Sequence, residues 1–136
     1  MGTPAVCLAK TSVTRIFVVE DSELIRERLL SMLASMSGVE VIGHAETASD
    51  AIAGILAVRP EVVVLDIKLK GSSGIEVLQT IKRRLASVTV IMLTNYASEE
   101  YRKRCLEAGA EYFLDKTNEF EQLCPILHQL KRNAQE

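Results

Sequence analysis

Residues 62–74 read VVVLDIKLKGSSG, and the fold turns on them. Four consecutive apolar residues, three of them β-branched valines, run into an acid, Asp66, and then into a polar loop carrying Gly71 and Gly74. A short apolar run bounded by turn residues fits a strand buried on both faces. Burying a lone ionised carboxylate is costly, so Asp66 must reach water at the strand end or have a task there.

Similar runs recur on either side of this one. TRIFVV (14–19) reads as a first strand, followed by a helical pattern with Ile25, Leu29, Met32, Leu33 and Met36 on one face, ended by Ser37-Gly38. VEVIGHA (39–45) is a second strand, and Thr47 caps a helix carrying Ala51, Ile52, Ile55 and Leu56 that Pro60 closes. EVVVLD (61–66) is the third strand. Ser73 with Glu76 forms a capping box for a helix with Ile75, Val77, Leu78 and Ile81 inward. VTVIMLT (88–94) is the fourth strand, and Ser98 starts a helix that Gly109 terminates. EYFLD (111–115) is the fifth. Asn118 with Glu121 opens a last helix, in which Pro125 predicts a kink or a late start. Five strands alternating with five helices predict an α/β fold, a parallel sheet covered on both faces. One domain is expected over 14–133, between a flexible segment, 1–13, and a short tail, 134–136.

Composition removes several function classes. A chain of 136 residues has room for one core. A net charge of −2 singles out neither nucleic acid nor an anionic membrane. No apolar run approaches the roughly 18 residues a membrane span needs. The first residues lack the basic segment and long apolar core of a secretory signal. Cys7, Cys105 and Cys124 show no paired spacing for zinc, and their odd number suggests reduced thiols in a cytoplasmic protein.

In open parallel α/β sheets, ligands bind beyond the carboxyl ends of the strands. Strand one delivers Glu20-Asp21 there, strand three Asp66, strand four Thr94-Asn95 and strand five Asp115-Lys116. The second strand adds nothing evident. Carboxylates about 5 Å apart repel by roughly 3 kcal/mol per pair at an effective dielectric near 20. Such a cluster calls for protonation, a lysine or a divalent cation, and hard oxygen ligands suit magnesium.

These residues resemble the receiver domain of bacterial two-component response regulators. The acidic pair is matched by Glu20-Asp21, the phosphoacceptor by Asp66, the hydroxyl switch residue by Thr94, the strand-five aromatic by Phe113 and the active lysine by Lys116. VVEDSELIRERLLSML and GHAETASDAI are particularly similar to receivers attached to helix-turn-helix transcription factors. The resemblance implies a flavodoxin-like (βα)5 three-layer sandwich with sheet order 2-1-3-4-5. It also implies Mg2+ held by Glu20, Asp21, Asp66 and the backbone carbonyl of Lys68. Asp66 would be the nucleophile that becomes 4-aspartylphosphate, with Thr94 and Lys116 binding the phosphoryl group and Phe113 following Thr94 as a switch. The implied partner is a sensor histidine kinase or a histidine phosphotransfer protein, and the implied dimer face is helix four, strand five and helix five. No direct nucleic-acid or membrane binding is expected of this chain. Three positions depart from the family pattern: Thr117 stands where proline usually follows the lysine, Lys70 stands where the acceptor loop usually has proline, and Lys68 is uncommon two residues past the acceptor.

Rival readings make different demands. An aspartate-nucleophile phosphatase would need a second Asp two residues after the first as general acid, where this chain has Lys68. The phosphorylated form is therefore expected to persist as a signal, with the chain catalysing only its own phosphorylation and slow dephosphorylation. An FMN binder would need a Ser/Thr/Gly-rich loop after strand one, where VVEDSEL offers acids. A phosphorelay shuttle fits the same residues, and the intact acidic set argues against a receiver that works without phosphorylation. Asn95 is expected to restrict water near the phosphoryl group. His44 and His128 read as surface residues rather than ligands.

Overall fold

The computed structural model describes residues 13–135; the segment 1–13 falls outside it apart from Val13, as do Cys7 and Glu136. Five strands, β1 (Thr14–Val19), β2 (Val39–Ala45), β3 (Val62–Leu65), β4 (Thr89–Thr94) and β5 (Tyr112–Asp115), form one parallel sheet. Its order is β2-β1-β3-β4-β5, the doubly wound flavodoxin-like arrangement. The helices are α1 (Glu23–Ala34), α2 (Ala48–Val58), α3 (Gly74–Arg84), α4 (Glu99–Glu107) and α5 (Leu123–Gln135).

Strand periodicity builds the three layers. Successive side chains point to opposite faces, so Ile16, Val18, Val62, Val64, Ile91 and Leu93 pack with Leu29 and Leu33 of α1 and Leu123 and Leu127 of α5. Phe17, Val19, Val63, Leu65, Val90 and Met92 face the other way, onto Ile55 of α2, Val77, Leu78 and Ile81 of α3, and Cys105 of α4. The central strand is apolar at every position because both of its faces are covered. Burying one such side chain contributes about 1.5–3 kcal/mol. The β1–β2 ladder carries a bulge: Ile16 faces Val41 while Phe17 faces Gly43, which leaves Ile42 as the extra residue. The Phe17 ring lies 2.7 Å from where a Cβ on Gly43 would sit and 2.8 Å from one on Gly54, so both glycines make room for it.

Helix starts follow the sequence closely. Ser22, Thr47, Ser73 and Ser98 each accept a backbone N–H of the first turn through the side-chain oxygen. Ser73 takes the N–H of Ile75 at 3.1 Å and not that of Glu76, so it caps α3 without the expected Ser73–Glu76 box. Two helix boundaries differ from expectation. α1 stops at Ala34, before Ser37-Gly38, because Ser35 turns its hydroxyl onto the Met32 carbonyl at 2.7 Å. The expected Asn118–Glu121 capping box does not form: Asn118 Nδ2 donates to Asp115 Oδ2 at 3.2 Å, and a 3-10 turn over Phe120–Gln122 precedes α5. Pro125 thereby falls in the first turn of α5, where no intrahelical N–H is required, and the late start is the form its effect takes. A two-residue antiparallel ladder, Lys68-Leu69 against Ser72-Ser73, interrupts what the sequence marks only as a polar loop; Gly71 turns it with φ +64°.

Candidate functional site

Each acid arrives at the same rim because its strand ends there. β1 carries Glu20 and Asp21, and β3, paired with β1 from Ile16↔Val62 to Val19↔Leu65, carries Asp66. The Asp66 N–H donates to the Val19 carbonyl, which fixes the two ends side by side. Beyond Asp66 the chain is pressed onto the start of α3. A Cβ on Gly74 would lie 1.8 Å from the Asp66 carbonyl oxygen, so only glycine permits this approach. The Gly74 N–H donates to the Ile67 carbonyl at 2.6 Å.

One oxygen from each of Glu20, Asp21 and Asp66 lies within 4.8 Å of the others. Lys116, at the end of β5, serves two of them: its Nζ is 2.6 Å from Glu20 Oε1 and 2.7 Å from Asp66 Oδ2. Asp66 Oδ1 accepts the Ile67 N–H at 2.7 Å, and Glu20 Oε2 accepts the Ser22 N–H at 3.1 Å. Glu20, Asp66 and Lys116 are all buried, while Asp21 is half-buried. Burial pushes the Glu20 carboxyl above its usual range, and Lys116 only partly opposes this. Burial alone would lower the Lys116 pKa, but Asp66 and then Glu20 outweigh it and hold the ammonium above the usual lysine range. Three carboxylates and one lysine leave a local charge near −2 when all are ionised. Hard oxygen donors with that deficit fit one Mg2+ ion.

These groups line an open cavity of about 340 Å³ together with Ser22, Ile25, Lys68, Asn95 and Tyr96. Lys68 places its ammonium 5.6 Å from the Tyr96 ring centroid, at the mouth. Thr94 and Phe113 do not line the cavity. Thr94 is fully buried at the end of β4, where its hydroxyl oxygen accepts the Tyr96 N–H at 3.0 Å. Phe113 is 4% exposed, packed on the α2–α4 side, with the Arg102 guanidinium 5.0 Å from its ring centroid. His44 and His128 are exposed.

The connection after β2, which looked empty in the sequence, holds Glu46. Its carboxylate joins Arg26 Nη1 and Lys70 Nζ, each at 3.1 Å, and Lys70, followed by Arg26, keeps it below the usual carboxylate range. Its sequence neighbours, GHAETAS, give no sign of this role, since both partners come from distant segments.

A family model described as the response regulator receiver domain matches residues 16–128. The DNA-binding transcriptional activator DevR/DosR of Mycobacterium tuberculosis is 32% identical over 102 residues, which cover 75% of this chain and 47% of that protein. The response regulator protein VraR of Staphylococcus aureus is 26% identical over 118 residues, covering 87% of this chain and 56% of that protein. The response regulator domain of Thermotoga maritima CheB has a TM-score of 0.78 at 29% identity, covering 90% of this chain and 96% of that one. The chain spans about half the length of the curated relatives it matches.

Proposed function

The chain belongs to the response regulator receiver family of two-component signalling, and we propose that Asp66 is its phosphoacceptor, taking a phosphoryl group from a phosphohistidine on a sensor kinase or a phosphotransfer protein. The observation that carries this reading is the sharing of one buried lysine by two of three clustered carboxylates at the strand ends.

A carboxylate oxygen of Asp66 attacks phosphorus, the phosphorus–nitrogen bond breaks, and the departing imidazole keeps the electron pair and takes up a proton. Because the transition state is loose, the protein's work is positioning and charge. The Ile67 N–H and the Lys116 ammonium already orient the Asp66 carboxylate, one on each oxygen. Lys116 then follows the charge onto a phosphoryl oxygen as a point donor, a task that needs no bidentate fork. Thr94 accepts from Tyr96 through its oxygen, so its hydroxyl proton stays available for another phosphoryl oxygen. Mg2+ held by Glu20, Asp21, Asp66 and the Lys68 carbonyl would supply the charge that offsets the phosphoryl oxygens. Asn95 and Tyr96, both exposed at the cavity, limit the approach of water. Drawing Thr94 toward the phosphoryl group alters the space beside Phe113, and this links phosphorylation of Asp66 to the α4–β5–α5 face, through which a second copy would dock. The whole is a switch, not a turnover enzyme, acting in the cytoplasm; no described helix is long and apolar enough to cross a membrane.

Incubation with Mg2+ and a small acyl phosphate should add one phosphoryl mass, lost in Asp66→Asn. A mass gain that persists in that variant would overturn the assignment.

A further inference from the structure

We propose that Glu46 is a positioning residue for the acceptor loop, holding Lys70 on that loop and Arg26 on α1 with a single carboxylate. This rests on Asp66 being the acceptor, and it names a residue that contacts neither metal nor phosphoryl group. The Lys70 N–H donates to the Glu46 carbonyl at 3.3 Å, and the Lys70 ammonium returns to Glu46 Oε1 at 3.1 Å. Lys70 is thus tied to Glu46 by both backbone and side chain. A proline at position 70 could form neither bond, having no N–H and no charge. Two residues on, Ser72 Oγ accepts the Ala48 N–H at 2.9 Å, so the acceptor loop is laced to the β2–α2 connection at a second point.

The other carboxylate oxygen of Glu46 reaches Arg26, whose Nη1 also donates to the Glu20 carbonyl at 3.3 Å. Arg26 is largely buried, its side chain 12% exposed. From just past the end of β2, Glu46 therefore connects the strand end that carries the paired acids to the loop that carries the acceptor. An isolated exposed ion pair contributes little. Here one carboxylate serves two cations, and the backbone bond to Lys70 closes a ring. The loop needs such a tether, because small displacements of a reacting group are costly in rate.

The test uses Glu46→Gln, Lys70→Met and the double variant, with Mg2+ and a small acyl phosphate. In Glu46→Gln, amide exchange over 67–73 should quicken about fivefold, the loss of roughly one hydrogen bond. The maximal phosphorylation rate should fall about threefold to tenfold, with the donor concentration for half-maximal rate unchanged. The double variant should be no slower than Glu46→Gln, since both remove the same link. Unchanged exchange in Glu46→Gln, or multiplicative losses in the double variant, would overturn the proposal. Exchange judges the tether whichever residue is phosphorylated, while retained phosphorylation in Asp66→Asn would sink only the acceptor assignment.

Discussion

The two edges of the sheet use the same kinds of side chain in different proportions. At the amino edge Arg15 and Lys82 each have partners of their own. Arg15 donates its N–H to Glu61 at 2.8 Å and its guanidinium to the Val58 and Arg59 carbonyls, closing the end of α2. Lys82 reaches Glu111 at 2.7 Å and the Val88 carbonyl at 2.5 Å, while the other Glu111 oxygen accepts the Val90 N–H. At the carboxyl edge three acids cluster around one lysine, which pairs with only two of them, Glu20 and Asp66. A matched pair completes a structure, whereas an unmatched one stores affinity for a cation. The difference between scaffold and site is thus one of stoichiometry, not of residue type.

The sharpest way to break this contrast is to remove Lys116. Lys116→Met should reduce phosphorylation by a small acyl phosphate by at least about 100-fold, measured by mass against time. It should also destabilise the fold at pH 7 by about 3 kcal/mol, because two buried carboxylates lose their partner. A variant that phosphorylates normally would show that the lysine is as structural as those at the other edge. Lys82→Met is the control from the amino edge. It should cost about 1–3 kcal/mol in urea denaturation, leaving two acceptors unpaired, with the phosphorylation rate unchanged.

A smaller effect concerns Glu20. Its pKa is raised above the ordinary 4.5 by burial, so the fold favours the protonated acid. The stability from this group is complete below the ordinary value and is lost as pH rises through the raised one. In Mg2+-free buffer, the stability of Glu20→Gln relative to the parent protein should therefore increase between about pH 4 and pH 7. Urea midpoints across that range check it, and a constant difference would mean that Glu20 ionises in the fold without penalty.

The sheet was legible because its signal is local. TRIFVV and VEVIGHA became strands over the residues expected, and the acid at the end of VVVL pointed to the rim where ligands bind. Glu20, Asp21, Asp66 and Lys116 converge as the strand ends predicted. The start of α5 departs from its capping pattern because Asn118 has a nearer partner, Asp115, than the helix it would cap. The role of Glu46 is hidden in the sequence for a related reason. Its worth lies in Arg26 and Lys70, 20 and 24 positions away in the chain, and no periodicity announces a bond between loops.

Gly74 has a mechanical consequence. Because the Asp66 carbonyl occupies the space a side chain would take, nothing compressible separates the end of β3 from α3. Any shift of that backbone must push the first turn of the helix directly, as a rod pushes a lever, with no rotamer in between to absorb the stroke.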